Sequence, residues 1–343
     1  MKQIVYDYDI GEFSQKIIGF GEKKYRAVQI FDAIFPCGVN SACDIKNIPQ
    51  NLQRKLDEEF EFLPAKIVKT QVSSIDNSIK FALKLLDDSI IECVILSAKN
   101  RRTLCLSSQV GCGLGCTFCE TAKLGFKRNL SSGEILYQLV IANNYLKKLG
   151  EKITNIVFMG MGEALSNFDN FKKAFLAIRD RKIFGIGTRK ITVSTAGVIP
   201  NIKKLIENKI PIDLAISLNA SNDEKRNEIM PVNKKYPISS ILEISKEYAK
   251  SGDRVIMFEY VMISDQNDSG DDARRLVKLL KNIPCKLNVI PLNDCTNNFV
   301  CSSQERIDLF TKIIYDAGIR VTVRRSGGKD IGGACGQLSG NAE

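Results

Sequence analysis

The chain has 343 residues, 44% of them hydrophobic, with a net charge of +10 and no histidine. Without imidazole, His-ligated zinc hydrolases and Ser-His-Asp hydrolases are excluded, and proton transfer falls to Glu, Asp, Lys, Tyr or Cys. No apolar run approaches the roughly 20 residues of a membrane helix, the start MKQIVYDYDIGEF lacks a signal peptide's apolar stretch, and 11 cysteines point to the reducing cytoplasm, where thiols serve metals or chemistry.

In chain order, YRAVQIFDAIF and PQNLQRKLDEEF read as short helices, and KIVKTQVSS and IKFALKLL as strands joined by a turn at Ile75–Ser78. Residues 1–88 are therefore expected to form a small α+β accessory domain. From about residue 103, short β-rich runs alternate with helical patterns. Strands are predicted at 103–108, 155–160, 190–195, 213–218, 255–262 and 287–292. The helical segments SSGEILYQLVIANNYLKKL and ISSILEISKEYAK follow the first and fourth. Such alternation implies parallel strands with right-handed crossovers. Six units fall short of the eight of a closed barrel, so the expectation for 89–343 is an α/β fold, a partial (β/α)6 barrel with its chemistry at the C-terminal strand ends. The glycine-rich segment GGKDIGGACGQLSGNAE predicts a closing loop rather than a helix.

Between the first two barrel strands, GCGLGCTFC places Cys112, Cys116 and Cys119 at C-x3-C-x2-C spacing. A structural zinc site closes with four ligands, and ferredoxin clusters also take four cysteines. Three thiolates on a 4Fe–4S cluster leave one iron open. Gly111, Gly113 and Gly115 let the loop wrap closely, as glycine tolerates angles other residues avoid. A zinc loop with a distant fourth ligand is the alternative.

Other candidates lie at strand ends. Gly162 lets a backbone edge approach a ligand, and Glu163 can accept hydrogen bonds from an ammonium group; a plain tight turn is the competing reading. Ser194, Ser217, Leu218, Asn219 and Asn293 offer polar groups, though helix capping and turn formation are commoner uses of such residues. Cys105 lies on the first strand, seven residues before Cys112, and Cys335 occupies the C-terminal glycine-rich loop, where a thiol has little core to pack against. Glu92 interrupts the apolar run IIECVIL; it either faces solvent or enters a partly buried site as a general base. Residues 101–200 carry 15 Lys or Arg against 6 Asp or Glu, which is nine of the ten excess charges. Arg101, Arg102, Lys123, Lys127 and Arg128 flank the cysteine loop in sequence, a pattern that suits a polyanion such as RNA or merely a solvated face.

LCLSSQVGCGLGCTFC, GFKRNL, FMGMGEAL, ITVST, ISLNA, IMPVN and DIGGACGQL together resemble the RlmN/Cfr family of radical S-adenosylmethionine (SAM) RNA methyltransferases, over nearly the whole chain. The resemblance implies a 4Fe–4S cluster on Cys112, Cys116 and Cys119. It also implies SAM bound by Gly162, Glu163, Ser194, Ser217, Leu218, Asn219 and Asn293. In that family the residue matching Cys335 takes a methyl group from a first SAM by SN2 transfer. A second SAM yields a 5′-deoxyadenosyl radical that activates this S-methyl group to add to adenine. The residue matching Cys105 then resolves the protein–RNA crosslink by forming a disulfide with Cys335, and that matching Glu92 accepts a proton. Such chemistry suits an electrophilic ring carbon, which cannot attack a methyl sulfonium itself.

The implied reaction is methylation at C2 of adenosine in 23S rRNA, with tRNA as a further substrate. RNA and a reductant such as flavodoxin or ferredoxin are the implied partners of a monomeric cytoplasmic enzyme whose residues 1–88 contact RNA. Three departures stand out. Ala164 replaces the usual proline of GEPL and resembles the C8-methylating branch, Asn219 replaces a histidine, and Glu120-Thr121-Ala122 replaces Ala-Thr-Gly. C8 methylation, a radical SAM enzyme for another substrate, and a metal-stabilised RNA-binding module are the alternatives.

Overall fold

The computed structural model describes residues 2–252, 254–293 and 299–340. Cys295, to which the sequence assigns no role, lies outside them. Asp9 caps α1 (Ile10–Gly19), accepting the Glu12 N–H at 2.8 Å while Glu12 accepts the Asp9 N–H at 3.0 Å. α2 (Tyr25–Cys37) and α3 (Gln50–Glu59) follow as predicted, and Phe13, Ile17, Ile34 and Leu56 bury their apolar faces. Gln3–Ile4 (β1) pairs in parallel with Phe60–Glu61 (β2). Phe35 meets Phe184 of the barrel edge to face at 5.5 Å, and the two cores are continuous.

Ten strands form one sheet in chain order. β3 (Ala65–Val72), β4 (Ile79–Leu85), β5 (Ile90–Ala98) and β6 (Arg101–Cys105) run antiparallel. β7 (Gln109–Gly111) and β8 (Phe126–Asn129) form a separate two-stranded ribbon. From β6 the main sheet continues in parallel through β9 (Asn155–Phe158), β10 (Ile191–Thr195), β11 (Asp213–Ser217), β12 (Ile256–Met262), β13 (Cys285–Pro291) and β14 (Arg320–Val323). The sheet is open, with β3 and β14 at its edges, as a partial barrel requires.

All six predicted barrel strands are present. β14 is a seventh, which four largely exposed residues did not announce. β4 and β5 pair from Ile79 opposite Ile95 to Lys84 opposite Ile90, so residues 65–85 extend the barrel sheet, and a division at 88/89 falls inside a hairpin. The parallel strands are apolar runs because helices cover them. Those helices are α4 (Glu120–Lys123), α5 (Ser132–Lys147), α6 (Phe168–Arg179), α7 (Ile199–Glu207), α8 (Asp223–Ile229), α9 (Ile238–Gly252), α10 (Gly270–Leu280) and α11 (Gln304–Asp316). Residues 332–340 are a loop, as predicted. No helix among the described residues is long and apolar enough to cross a membrane.

Candidate active site

The cysteine loop leaves the ribbon through Gly111, whose φ is +73° and where a Cβ would stand 1.8 Å from Gly125 O. Only glycine lets β7 close on its partner here. Gly115 is also left-handed, whereas Gly113 is not and instead makes room for Phe126. Cys112 N–H donates to Gly125 O at 2.9 Å, Thr117 N–H to Ile229 O at 3.0 Å, and Cys119 N–H to Cys116 O at 3.2 Å. So held, all three cysteines line one open cavity of about 940 Å³ at the C-terminal strand ends.

Burial pushes the Cys112 thiol up to about 11 and raises Cys116 and Cys119 as well. They stay protonated at neutral pH until a cationic centre displaces the protons. Three thiols on one cavity wall fit an iron–sulfur cluster, which takes each thiolate on a separate iron.

Across the cavity, Gly162 has φ +94°, and a Cβ there would meet Gln109 Cβ at 2.4 Å. Glu163 beside it is 5% exposed. Its Oε2 accepts the Ala196 N–H at 2.8 Å and its Oε1 the Leu165 N–H at 3.3 Å. Burial pushes this carboxyl up to about 7 against those hydrogen bonds. A buried carboxylate held by two N–H groups and the Thr195 side chain, with no cation paired to it among the described residues, is a seat for an ammonium group.

Ser194 Oγ donates to Glu259 Oε2 at 2.9 Å, and Ser217 lines the same wall. Asn219 adopts φ +57°, a left-handed turn that Asn, Asp and His tolerate better than other residues, which accounts physically for asparagine in place of histidine. Its Oδ1 accepts the Val261 N–H at 2.9 Å. Asn293 Nδ2 donates to Ser326 Oγ and to Cys335 O, both at 3.1 Å, while its buried Oδ1 has no partner among the described residues. Together with Glu163 it fits a ligand bearing both an ammonium group and hydrogen-bond donors, as SAM does. Leu218 differs from the others. It is fully buried off the cavity wall, its N–H given to Glu259 O and its carbonyl to Arg226.

Cys335 lines this cavity and also a smaller adjoining one, which it shares with Cys105, Met159 and Arg324. The structure thus brings together two cysteines from opposite ends of the barrel sequence. Burial pushes the Cys105 thiol up to about 12. The Cys335 loop is tied to the cysteine loop by Glu120 N–H donating to Gly336 O at 2.8 Å and Thr121 Oγ1 to Leu338 O at 2.7 Å.

Glu92 is not on either cavity wall, nor does it face solvent. It is fully buried, 2.9 Å from Lys80 Nζ, and its Oε2 accepts the N–H groups of Ser339 at 2.8 Å and Gly340 at 3.0 Å. Lys80 Nζ also donates to Gly332 O at 3.4 Å. The pair grips the Cys335 loop on both sides of the thiol.

Two residues escaped the sequence reading. Glu259 bridges Ser194 and, at 3.5 Å, Arg324; the signal was a lone acid in the buried strand IMFEYVM. Arg226 is fully buried and donates to the carbonyls of Ala196, Ser217 and Leu218 at 2.8–2.9 Å. Nothing in DEKRNEI announced that. Among the basic residues near the cysteine loop, Arg128 is held by Asp87 and Glu134 and Lys123 by Glu120, while Arg102 is held by Glu151.

A three-cysteine loop at the C-terminal mouth of an open parallel α/β sheet, facing a carboxylate-bearing cavity, defines a radical SAM enzyme. Residues 106–280 match the model of the Radical SAM superfamily, membership of which implies a 4Fe–4S cluster and SAM. The chain is 44% identical over 335 residues to "Probable dual-specificity RNA methyltransferase RlmN" of Dictyoglomus turgidum, covering 97% of this chain and 96% of that one. It is 41% identical over 342 residues to "Dual-specificity RNA methyltransferase RlmN" of Ruthia magnifica, covering 99% and 96%. The crystal structure of a radical SAM methyltransferase from Sphaerobacter thermophilus superposes with a TM-score of 0.96 at 35% identity, over 99% of this chain and 100% of that one. The chain belongs to the RlmN family of radical SAM RNA methyltransferases.

Proposed function

We propose that the protein methylates C2 of adenosine in 23S rRNA, and tRNA as well, through an S-methylcysteine formed on Cys335 between two successive SAM molecules. The observation that carries this reading is that Cys335 lies on the walls of two cavities, one with the three cluster cysteines and one with Cys105. A single thiol so placed can carry a methyl group at the SAM site and still be reached by a resolving thiol. The relatives' printed names, dual-specificity RNA methyltransferases, support RNA as substrate.

Cluster and SAM, when bound, supply one-electron cleavage and a hydrogen-abstracting radical. The chain's own residues hold and orient. Cys112, Cys116 and Cys119 hold the cluster, and Glu163 takes the ammonium group of SAM. Ser194, Ser217, Asn219 and Asn293 present polar groups at successive strand ends, with Leu218 fixing the backbone between two of them. Cys105 resolves the crosslink by closing a disulfide with Cys335. Glu92 is assigned proton acceptance by family likeness, and its contacts support a second task, holding the Cys335 loop. Peptide mass spectrometry after incubation with SAM tests the reading directly: a methyl group on Cys335 is expected, and methylated RNA from protein whose Cys335 is never modified would overturn it.

Likeness of Ala164 to the C8-methylating branch supports a second reading in which C8 is the methylated carbon.

A further inference from the structure

We infer that the face of the barrel opposite the cavity is a second RNA-backbone-binding surface, built from Arg101, Lys152, Arg181, Lys182, Arg189 and Lys190. The inference rests on RNA being the substrate. Arg101 opens β6, and the others precede β9 and β10 in the chain. In a parallel sheet that puts them at the N-terminal strand ends, whereas the cavity is lined from the C-terminal halves of the strands and the loops beyond them. Thr103 pairs with Asn155 and Ile191 with Ile156, so the three strand starts are neighbours about 4.8 Å apart.

All six side chains are exposed, and none makes an ion pair among the described residues. The nearby acids Glu151 and Asp213 are taken by Arg102 and Arg254; Asp180 remains, its Oδ1 accepting the Lys182 N–H. On the cavity side, by contrast, Lys123 and Arg128 are already paired. Among the described residues, unpaired positive charge is therefore present on the face away from the chemistry as well as at Lys127 beside the cysteine loop.

A cation in the last turn of a helix merely complements the helix dipole, which explains Lys147 at the end of α5. It does not explain Arg181, Lys182, Arg189 and Lys190, which lie outside any α-helix. Phe184, in the same loop, packs on Phe35 of α2, so the basic loop adjoins the helical unit that family likeness assigns to RNA. Unpaired surface cations fit phosphates better than a protein partner, whose interface core is depleted of charge.

The test is a combined Arg181→Gln, Lys182→Gln, Arg189→Gln and Lys190→Gln variant, loaded with cluster and assayed for binding to in-vitro-transcribed 23S rRNA across a salt series. SAM cleavage and unfolding midpoint should match wild type, because the residues are exposed and remote from the cavity. RNA affinity should fall about tenfold or more at low salt, and the slope of log K against log salt should flatten by about two to three. Unchanged affinity and slope in the variant, beside a salt-dependent wild type, would overturn the inference alone. Wild-type protein that binds no RNA would remove both the inference and its RNA premise. Unchanged RNA binding with slower turnover on flavodoxin, but normal turnover on dithionite, would overturn it in favour of an acidic protein partner.

Discussion

Glu163 Oε2 accepts the Ala196 N–H at 2.8 Å, joining the turn after β9 to the end of β10. Arg226 takes the Ala196 carbonyl, also at 2.8 Å. One residue after β10 is thus held between a buried carboxylate and a buried guanidinium, and the strand ends at the cavity are fixed before any ligand arrives.

The raised carboxyl of Glu163 has a consequence for stability. Its folded value of about 7 lies above the ordinary 4.5, so the folded chain holds this proton more tightly than the unfolded chain. Its stabilising contribution is full below 4.5, declines as pH rises, and is gone above about 7. In the unligated protein the decline is on the order of 3 kcal/mol. Denaturant unfolding between pH 4.5 and 7.5 reads it, and Glu163→Gln, neutral throughout, should flatten this part of the profile. An equally steep profile in the variant would contradict the assignment.

Cys112→Ala, Cys116→Ala and Cys119→Ala should each abolish iron–sulfur absorbance and methylation. The unligated chains should unfold close to wild type, since each change removes one thiol at a cavity wall. Gly111→Ala should also abolish absorbance and methylation, by distorting the loop and at a cost in stability, because the new Cβ meets Gly125 O at 1.8 Å. Iron and sulfide analysis checks both; a colourless wild-type protein with stoichiometric zinc would refute the cluster.

Cys105→Ala should leave the protein covalently attached to RNA, visible as a shifted band on a denaturing gel. Cys335→Ala should give neither adduct nor product. Full activity in Cys335→Ala would end the two-thiol account.

Lys80→Met leaves Glu92 buried without its cation, a loss of about 3–5 kcal/mol in comparable pairs. Hydrogen exchange should rise in residues 332–340, and Cys335 methylation should fall more than SAM binding. Lys80→Arg, which keeps the charge, should recover much of both. Unaltered exchange in that loop would show that the pair does not hold it.

Local features were legible in the sequence and long-range ones were not. The cysteine loop is a single short segment, so its spacing carried its chemistry. The six barrel strands were buried apolar runs, whereas β14 has four mostly exposed residues and gives no such signal. That Cys105 and Cys335 line one cavity has no trace in spacing, and their proposed partnership came only through family likeness. Glu92 read as an exposed or catalytic acid because its cation, Lys80, and its N–H donors, Ser339 and Gly340, come from distant segments. The basic residues flanking the cysteine loop in sequence prove to be split between two faces, as chain neighbours at opposite ends of a strand must be.

Nucleoside mass spectrometry on RNA treated with anaerobically reconstituted protein, SAM and a reductant tests the central claim most directly. The RNA, 23S rRNA and tRNA run separately, must come from cells lacking the modification. The account predicts 2-methyladenosine in 23S rRNA. 8-Methyladenosine would contradict the assigned carbon, and no methylated adenosine from protein that cleaves SAM would contradict the assigned substrate.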